Sequence, residues 1–209
     1  CLQRACQHFS KNERTTGVNQ MNSSARSEAI QLARQWLSRK PVYIDTETTG
    51  TGPNDSIIEV SVIDHDGGVL VDSLVKPVGK ISPGARAVHR ITNDMIKDAP
   101  RWESVWTQVE AAITNRVIGI YNVDFDLRMM RQSHQMNWLR WSDPPGADFF
   151  CIMKLYAQFW GQWNPKYGNY RWQSLDQARE QCRIPLPNSH RAKDDTLLTR
   201  ALLEYMANL

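Results

Sequence analysis

The sequence predicts an α/β fold, a mixed five-stranded sheet with helices on both faces. Two observations carry this. Residues 57–63 and 69–75 are rich in β-branched side chains and flank Asp66-Gly67-Gly68, the mark of an antiparallel hairpin. Short apolar runs at 42–45, 117–121 and 148–151 then alternate with stretches of helical spacing. A hairpin followed by alternating helices and strands implies a mixed sheet covered on both sides.

The elements follow in order. Residues 1–22 are polar and aperiodic and read as a leader or linker, leaving 23–209 as one domain. Cys1, Cys6 and His8 lack a full ligand set, so they read as part of that leader. Ser23 and Ser24 can cap a helix over 23–39, with Leu32, Ala33, Trp36 and Leu37 on one stripe and Pro41 as its stop. The first strand covers 42–45. After the hairpin, Pro77, Pro83 and Gly84 mark 76–91 as loop. Helices are expected near 93–97 and 102–114, a buried strand at 117–121 and a helix over 125–136. Pro144-Pro145-Gly146 makes a loop before a brief strand at 148–151 and a helix to 160. Residues 161–171 read as a polar-aromatic loop. Ser174 and Gln177 have capping-box spacing and start a helix over 175–182. The last helix, 192–206, carries Leu197, Leu198, Ala201, Leu202 and Tyr205 inward.

Length and composition bound the function. A chain of 209 residues suits one domain, and 41% hydrophobic with 22% charged residues is the balance of a water-soluble globule. The net charge of +3 is compatible with a polyanionic substrate. No apolar stretch approaches the ~20 residues of a membrane span, and the start shows no secretory signal pattern. Four cysteines in a chain this long suggest no disulfide framework, so a reducing cytoplasm is the expected compartment. The chain begins with Cys1 rather than Met, which reads as a fragment of a longer protein or a trimmed form.

The chemistry sits in three motifs. Asp45 and Glu47 are two apart at a strand end, so both carboxylates point the same way. Thr48, Thr49 and Gly50 follow, offering hydroxyls and backbone donors that can hold a sugar or phosphate, with Gly50 allowing a sharp turn. Asp126 opens a helix just after the strand at 117–121. Sites in open sheets gather at strand ends, which brings it near Asp45 if the two strands are neighbours. Asp124 reads as a helix cap instead. His190 precedes the last helix and Asp195 lies one turn inside it, while Asp194 reads as solvent-facing. Imidazoles titrate near pH 6.5 in general, which suits proton removal from a metal-bound water. Four converging carboxylates repel one another unless they share protons or hold cations. With a histidine beside them, the economical reading is a two-metal phosphodiester hydrolase.

These residues closely resemble the DEDDh branch of the DnaQ-like 3′–5′ exonucleases. The resemblance rests on Asp45-Thr46-Glu47-Thr48-Thr49-Gly50, Asn122-Val123-Asp124-Phe125-Asp126 and His190-Arg191-Ala192-Lys193-Asp194-Asp195. A softer feature is Val88-His89-Arg90-Ile91-Thr92, followed by Ala99-Pro100. Two positions depart from the family pattern: Tyr121 stands for a histidine and Arg90 for a glycine. The resemblance covers residues 41–207 and implies a ribonuclease H-like fold. It implies Asp45, Glu47, Asp126 and Asp195 as ligands of two Mg²⁺ or Mn²⁺, and His190 as general base. It places the terminal 3′ nucleotide near Thr48, with Thr49, His89 and Asn122 completing the substrate-binding set.

The expected substrates are DNA or RNA 3′ ends, single-stranded favoured and DNA ahead of RNA, released as nucleoside 5′-monophosphates. A polymerase, or other parts of a longer parent protein, would be the macromolecular partner. An RNA 3′ exonuclease and a non-catalytic binding module are the alternatives, and retention of all five site residues speaks against the second. Lys76, Lys80, Arg86, Arg90 and Lys97 form a basic stretch that can meet phosphates. Of the aromatics crowded into 138–172, Trp163, Tyr167 and Tyr170 lie in the polar loop and are the better base-stacking candidates.

Overall fold

The structure is a computed structural model that describes the backbone of residues 12–209 and side chains from residue 23 onward. Cys1, Cys6 and His8 therefore lie outside the described residues. Strands β1 (Val42–Thr48), β2 (Ile57–Ile63) and β3 (Val69–Leu74) form a meander. Strands β4 (Val117–Ile120) and β5 (Asp148–Cys151) extend it, giving the order β3-β2-β1-β4-β5. The β3/β2 and β2/β1 pairs are antiparallel, and the β1/β4 and β4/β5 pairs are parallel. This is the expected mixed five-stranded sheet.

The helices are α1 (Asn12–Ser38), α2 (Pro83–His89), α3 (Asn93–Ile96), α4 (Trp102–Ile113), α5 (Val123–Met136), α6 (Ile152–Trp160), α7 (Leu175–Cys182) and α8 (Ala192–Ala207). A two-stranded hairpin, β6 (Trp163–Asn164) with β7 (Asn169–Tyr170), interrupts the 161–171 segment. Period-two alternation along β1 divides the core. Val42 and Ile44 face α4 and α5, joining Trp102, Val109 and Met129. Tyr43 faces α1, α6 and α8, joining Phe159, Leu198 and Leu202. Alternation sends Asp45 and Glu47 to the same side as Tyr43.

Besides the β6–β7 hairpin, which stands where the sequence predicts loop, three elements differ from the sequence expectation. Helix α1 starts at Asn12, inside the stretch read as leader. Its described face packs closely because Ala29 and Ala33 are fully buried, and Trp36 stacks on Phe150 of β5 with ring centroids 4.4 Å apart. Helix α2 lies where a loop was expected. Ser82 caps it by accepting the Ala85 N–H, and Pro83 occupies its first turn, where the missing N–H costs nothing. Strand β1 runs three residues further than expected, to Thr48, because β2 pairs with it past a register shift at Glu47/Thr48. Cys151 and Cys182 are free thiols. No helix among the described residues is long and apolar enough to cross a membrane.

Candidate active site

The C-terminal end of β1 enters a cavity of about 260 Å³. Strand β4 ends beside it, since Ile44 pairs with Ile120 in parallel register. Tyr121 and Asn122 then lead into α5 and place Asp126 in its first turn. On the opposite face, α8 brings Asp195, also in a first turn. Ligand oxygens of Asp45, Glu47 and Asp195 all lie within 4.8 Å of one another. Asp126 is buried, and its Oδ1 accepts a 2.7 Å hydrogen bond from the Thr46 hydroxyl. All four carboxylates line the one cavity.

His190 also lines it, with its side chain half-exposed and Nδ1 3.9 Å from Asp195 Oδ2. Its backbone is left-handed, at φ 52°. Non-glycine residues adopt this conformation uncommonly, at a cost of about 1–2 kcal/mol, though histidine tolerates it better than most. The turn into α8 therefore holds His190 in a defined pose. Asn188, with its amide oriented to satisfy its neighbours, donates to both Asp195 oxygens at 3.0 and 3.2 Å and accepts the Asp176 N–H at 3.1 Å. It ties the start of α7 to the acidic cluster.

The electrostatics demand a counter-charge. Burial, then the charges of Asp126, Glu47, Asp195 and Glu59, hold the Asp45 carboxyl well above the usual range. Burial and the same kind of crowding, from Asp195, Glu59 and Asp126, push Glu47 to about 9 against a weaker pull from Arg191. Burial raises Asp126 to about 7, partly offset by hydrogen bonding from Thr46. Asp195 rises to about 7, through burial and then the neighbouring Asp194. The set in isolation favours proton uptake. An all-oxygen cluster of this kind suits a hard divalent cation, Mg²⁺ or Mn²⁺, which would ionise the carboxyls and replace their protons.

Glu59 escaped the sequence reading. It pairs directly across β1/β2 with Glu47, and like charges in such a pair destabilise a sheet. Arg191 relieves this. Its guanidinium reaches both Glu59 oxygens, with Nε at 3.0 and 3.1 Å and Nη2 at 2.5 Å, and Glu59 also accepts the Ala192 N–H at 3.0 Å. One buried carboxylate thus caps α8 and grips the residue between His190 and Ala192. A charged residue amid the otherwise uncharged, wholly buried β2 was the available signal.

Three of the four expected substrate-binding residues have side chains engaged within the protein. The Thr48 hydroxyl donates to the Gly50 carbonyl at 2.8 Å, and the Thr49 hydroxyl donates to Asp55 Oδ1 at 2.6 Å. Both threonines are buried, and neither lines the cavity. His89 is buried too. Its Nδ1 accepts the Ile91 N–H at 2.9 Å, so Nε2 carries the proton and donates to the Thr48 carbonyl at 3.2 Å. Both ring nitrogens are occupied, so His89 pins the end of β1 from below. Burial pushes its basicity down, which keeps it neutral. Asn122 lines the cavity. Gly50 does not have a left-handed φ; a Cβ there would meet Asp55 Oδ2 at 2.6 Å and push that carboxylate off Thr49 and Gly52.

The cavity gains residues that had no site role in the sequence reading: Thr46, Tyr121, Ser174, Leu175, Asp176 and Asn188. Phe125 packs partly into the core and also lines the cavity. Asp124 is not a cap. It sits at the surface, 2.7 Å from Lys154 Nζ. Asp194 accepts a 2.5 Å bond from the Ser189 hydroxyl, outside the cavity. Tyr121, which stands for a histidine, donates its hydroxyl to the Gln173 carbonyl at 2.8 Å and so anchors the segment leading into Ser174. Arg90 caps α2 at φ 60°, taking up the left-handed conformation that glycine supplies most easily.

Comparison with known proteins places this geometry in context. A family model described as RNase_T, exonuclease, matches residues 42–203. The chain is 32% identical over 184 residues to the uncharacterized exonuclease CP81 of Escherichia phage 186, spanning 85% of this chain and 93% of that protein. It is 32% identical over 168 residues to exodeoxyribonuclease 10 of Escherichia coli strain K12, spanning 79% of this chain and 67% of that protein. Among solved structures, exonuclease X in complex with 5′ overhanging duplex DNA superposes with a TM-score of 0.59 at 28% identity, over 80% of this chain and 90% of that one.

Proposed function

Because the chain belongs to the RNase_T exonuclease family, we propose that it removes nucleotides stepwise from the 3′ ends of single-stranded or overhanging DNA, releasing nucleoside 5′-monophosphates. The observation that carries this reading is the convergence of Asp45, Glu47 and Asp195 within 4.8 Å, with Asp126 and His190 in the same cavity.

Asp45, Glu47, Asp126 and Asp195 would hold two Mg²⁺ or Mn²⁺ ions. When bound, the cations supply positive charge against the attacking water and the leaving 3′ oxygen. Every other role falls to the chain. His190, half-exposed at the cavity wall, takes one proton from the water as its oxygen bonds to phosphorus. The bond from phosphorus to the 3′ oxygen breaks in line, and solvent protonates that oxygen. Phe125 and Leu175 offer apolar surface to the terminal nucleoside, while the Asn122 amide and Ser174 hydroxyl offer hydrogen bonds. Thr46 orients Asp126, and Asn188 orients Asp195.

The test is digestion of 5′-labelled single-stranded DNA, 3′-recessed and 5′-recessed duplexes, and RNA of matched sequence, with Mg²⁺ or Mn²⁺. A ladder shortening from the 3′ end, with mononucleotide 5′-phosphates as products, is expected on DNA. Full activity in excess EDTA, or mononucleotide 3′-phosphates as products, would contradict it. Preference for RNA would reassign the substrate while leaving the chemistry in place.

A further inference from the structure

The β6–β7 hairpin carries a surface that the catalytic reading does not use. Trp163, Tyr167 and Trp172 are 46%, 66% and 55% exposed. Large aromatics clustered in water mark an interaction site more often than chance placement does. Lys166 Nζ stands 5.1 Å from the Tyr167 ring centroid, and Arg171 joins Tyr167, Tyr170 and Trp172 in lining a cavity of about 470 Å³. Flat apolar faces interleaved with cations match an unpaired nucleic-acid strand, which offers a base and a phosphate at every step.

The position strengthens the match. Trp172 is two residues from Ser174, which lines the catalytic cavity, so at most about 7 Å of chain separates them. The link is fixed. The Gln173 carbonyl accepts the Tyr121 hydroxyl at 2.8 Å, the Gln173 amide donates to the Arg171 carbonyl at 3.1 Å, and the Arg171 N–H donates to the Gln162 carbonyl at 2.8 Å. Tyr170 is turned inward onto Trp163, in an edge contact at 5.2 Å, which leaves Tyr167 and Trp172 as the open faces.

We propose that this hairpin is the subsite for the unpaired strand on the 5′ side of the scissile linkage, with bases stacked on Tyr167 and Trp172 and phosphates met by Lys166 and Arg171. The proposal rests on the exonuclease reading of the neighbouring cavity.

The experiment compares the protein with Tyr167→Ala, Trp172→Ala and the double variant. Trp138→Ala serves as control, a 96% exposed tryptophan at the far end of α5, roughly 20 Å along that helix from Asp126. Binding of a 5′-fluorescein thymidine octamer is measured by anisotropy in EDTA. Turnover is measured with Mg²⁺ on the octamer and on thymidine 5′-p-nitrophenyl phosphate, which has no 5′ strand. Each single variant should weaken octamer binding roughly tenfold, the usual worth of one base–aromatic stack, and raise KM on the octamer with kcat kept. Turnover of the small ester and the Tm should not move, and Trp138→Ala should behave as the parent. Unchanged octamer affinity in the double variant would overturn the proposal and leave the patch to a protein partner. Equal loss on both substrates would overturn it as well, by showing a structural role. Failure of the parent to cleave either substrate would sink the exonuclease reading and with it the placement beside a scissile linkage, while the affinity series still judges strand binding at the hairpin.

Discussion

Arg191 forks onto Glu59 from the start of α8, and the pair spans 132 residues of sequence. Glu59 is buried while the Arg191 side chain is 39% exposed, so the pair sits at the edge of the cluster rather than in deep core. It fixes the backbone on which His190 and Asp195 are mounted.

Breaking that pair should cost both stability and turnover. Arg191→Met leaves Glu59 buried beside Glu47 without its cation, and Glu59→Gln removes the charge that Arg191 meets. A loss of about 1.5–3 kcal/mol is expected from either, the range for a hydrogen bond to a charged group. The double variant should lose less than the sum, because the second change relieves the orphan left by the first. A double-mutant cycle by urea unfolding, with kcat on the same samples, measures this. Additive losses would show that the two residues act separately.

The raised carboxyl groups set a pH dependence for the metal-free protein. Unfolded carboxyls titrate near 4, whereas Asp126 and Asp195 titrate at about 7 and Glu47 at about 9. Above pH 4 the native state therefore holds more protons than the unfolded one, so stability falls as pH rises. The fall should begin above pH 4 and continue through 7 towards 9. Each kcal/mol lost lowers Tm by roughly 2–4 °C in a chain of this size. Mg²⁺ or Mn²⁺ should reverse the trend, raising Tm more at pH 8 than at pH 5. Calorimetry in EDTA and in excess Mn²⁺ checks both halves. A metal-free Tm that rises from pH 5 to 8 would contradict the cluster's electrostatics.

Neighbouring carboxylates on α5 should separate cleanly. Asp126→Asn keeps the acceptor for Thr46 but removes charge from the cavity, and turnover should drop on the order of 10³-fold, matching several kcal/mol of lost charge stabilisation. Asp124→Asn touches only the surface pair with Lys154 and should leave turnover within about twofold and stability within about 1 kcal/mol. Steady-state rates on one oligonucleotide decide. The reverse ranking would relocate the second motif's ligand.

His190→Ala should lose roughly 10²–10⁴-fold in rate, the share of a general base. It should still take up Mn²⁺, since the four carboxylates remain. Calorimetric titration beside the rate assay tests this. Loss of Mn²⁺ uptake would make His190 a ligand or a structural residue.

Arg90→Gly should stabilise the fold. The left-handed backbone costs an L residue about 1–2 kcal/mol, against about 0.5–1 kcal/mol for the extra freedom of glycine in the unfolded chain. A gain of up to about 1.5 kcal/mol is expected in urea unfolding. A loss would mean that the arginine side chain contributes more than the conformation costs.

The carboxylates were legible because they sit where chain periodicity speaks: Asp45 and Glu47 two apart on a strand, Asp126 and Asp195 in first turns of helices. The partners of the threonine hydroxyls were not legible, because a register shift at Glu47/Thr48 ends regular alternation there, and Asp55, six residues beyond Thr49, takes up its hydroxyl. The role of His89 depends on a backbone carbonyl 41 residues away, which no local pattern reveals. Glu59 and Arg191 each look ordinary alone and acquire meaning only when β2 and α8 meet. Helix α2 was readable in principle, since Ser82-Pro83 is a helix-start signal that the surrounding prolines and glycine obscured.

The Thr46–Asp126 bond closes a segment of 80 residues, and Arg191–Glu59 closes one of 132. Loop entropy must be met before such distant contacts are rewarded, so the β1–β2–β3 meander can assemble well ahead of them. The cluster is therefore among the last parts of the molecule to come together. On the proposed roles of Asp195 and His190, a chain caught partway through folding, or emerging from synthesis without α8, would lack both at the sheet and would not cut. Activity would then arrive with completion, delaying hydrolysis of nucleic acid until the whole fold is in place.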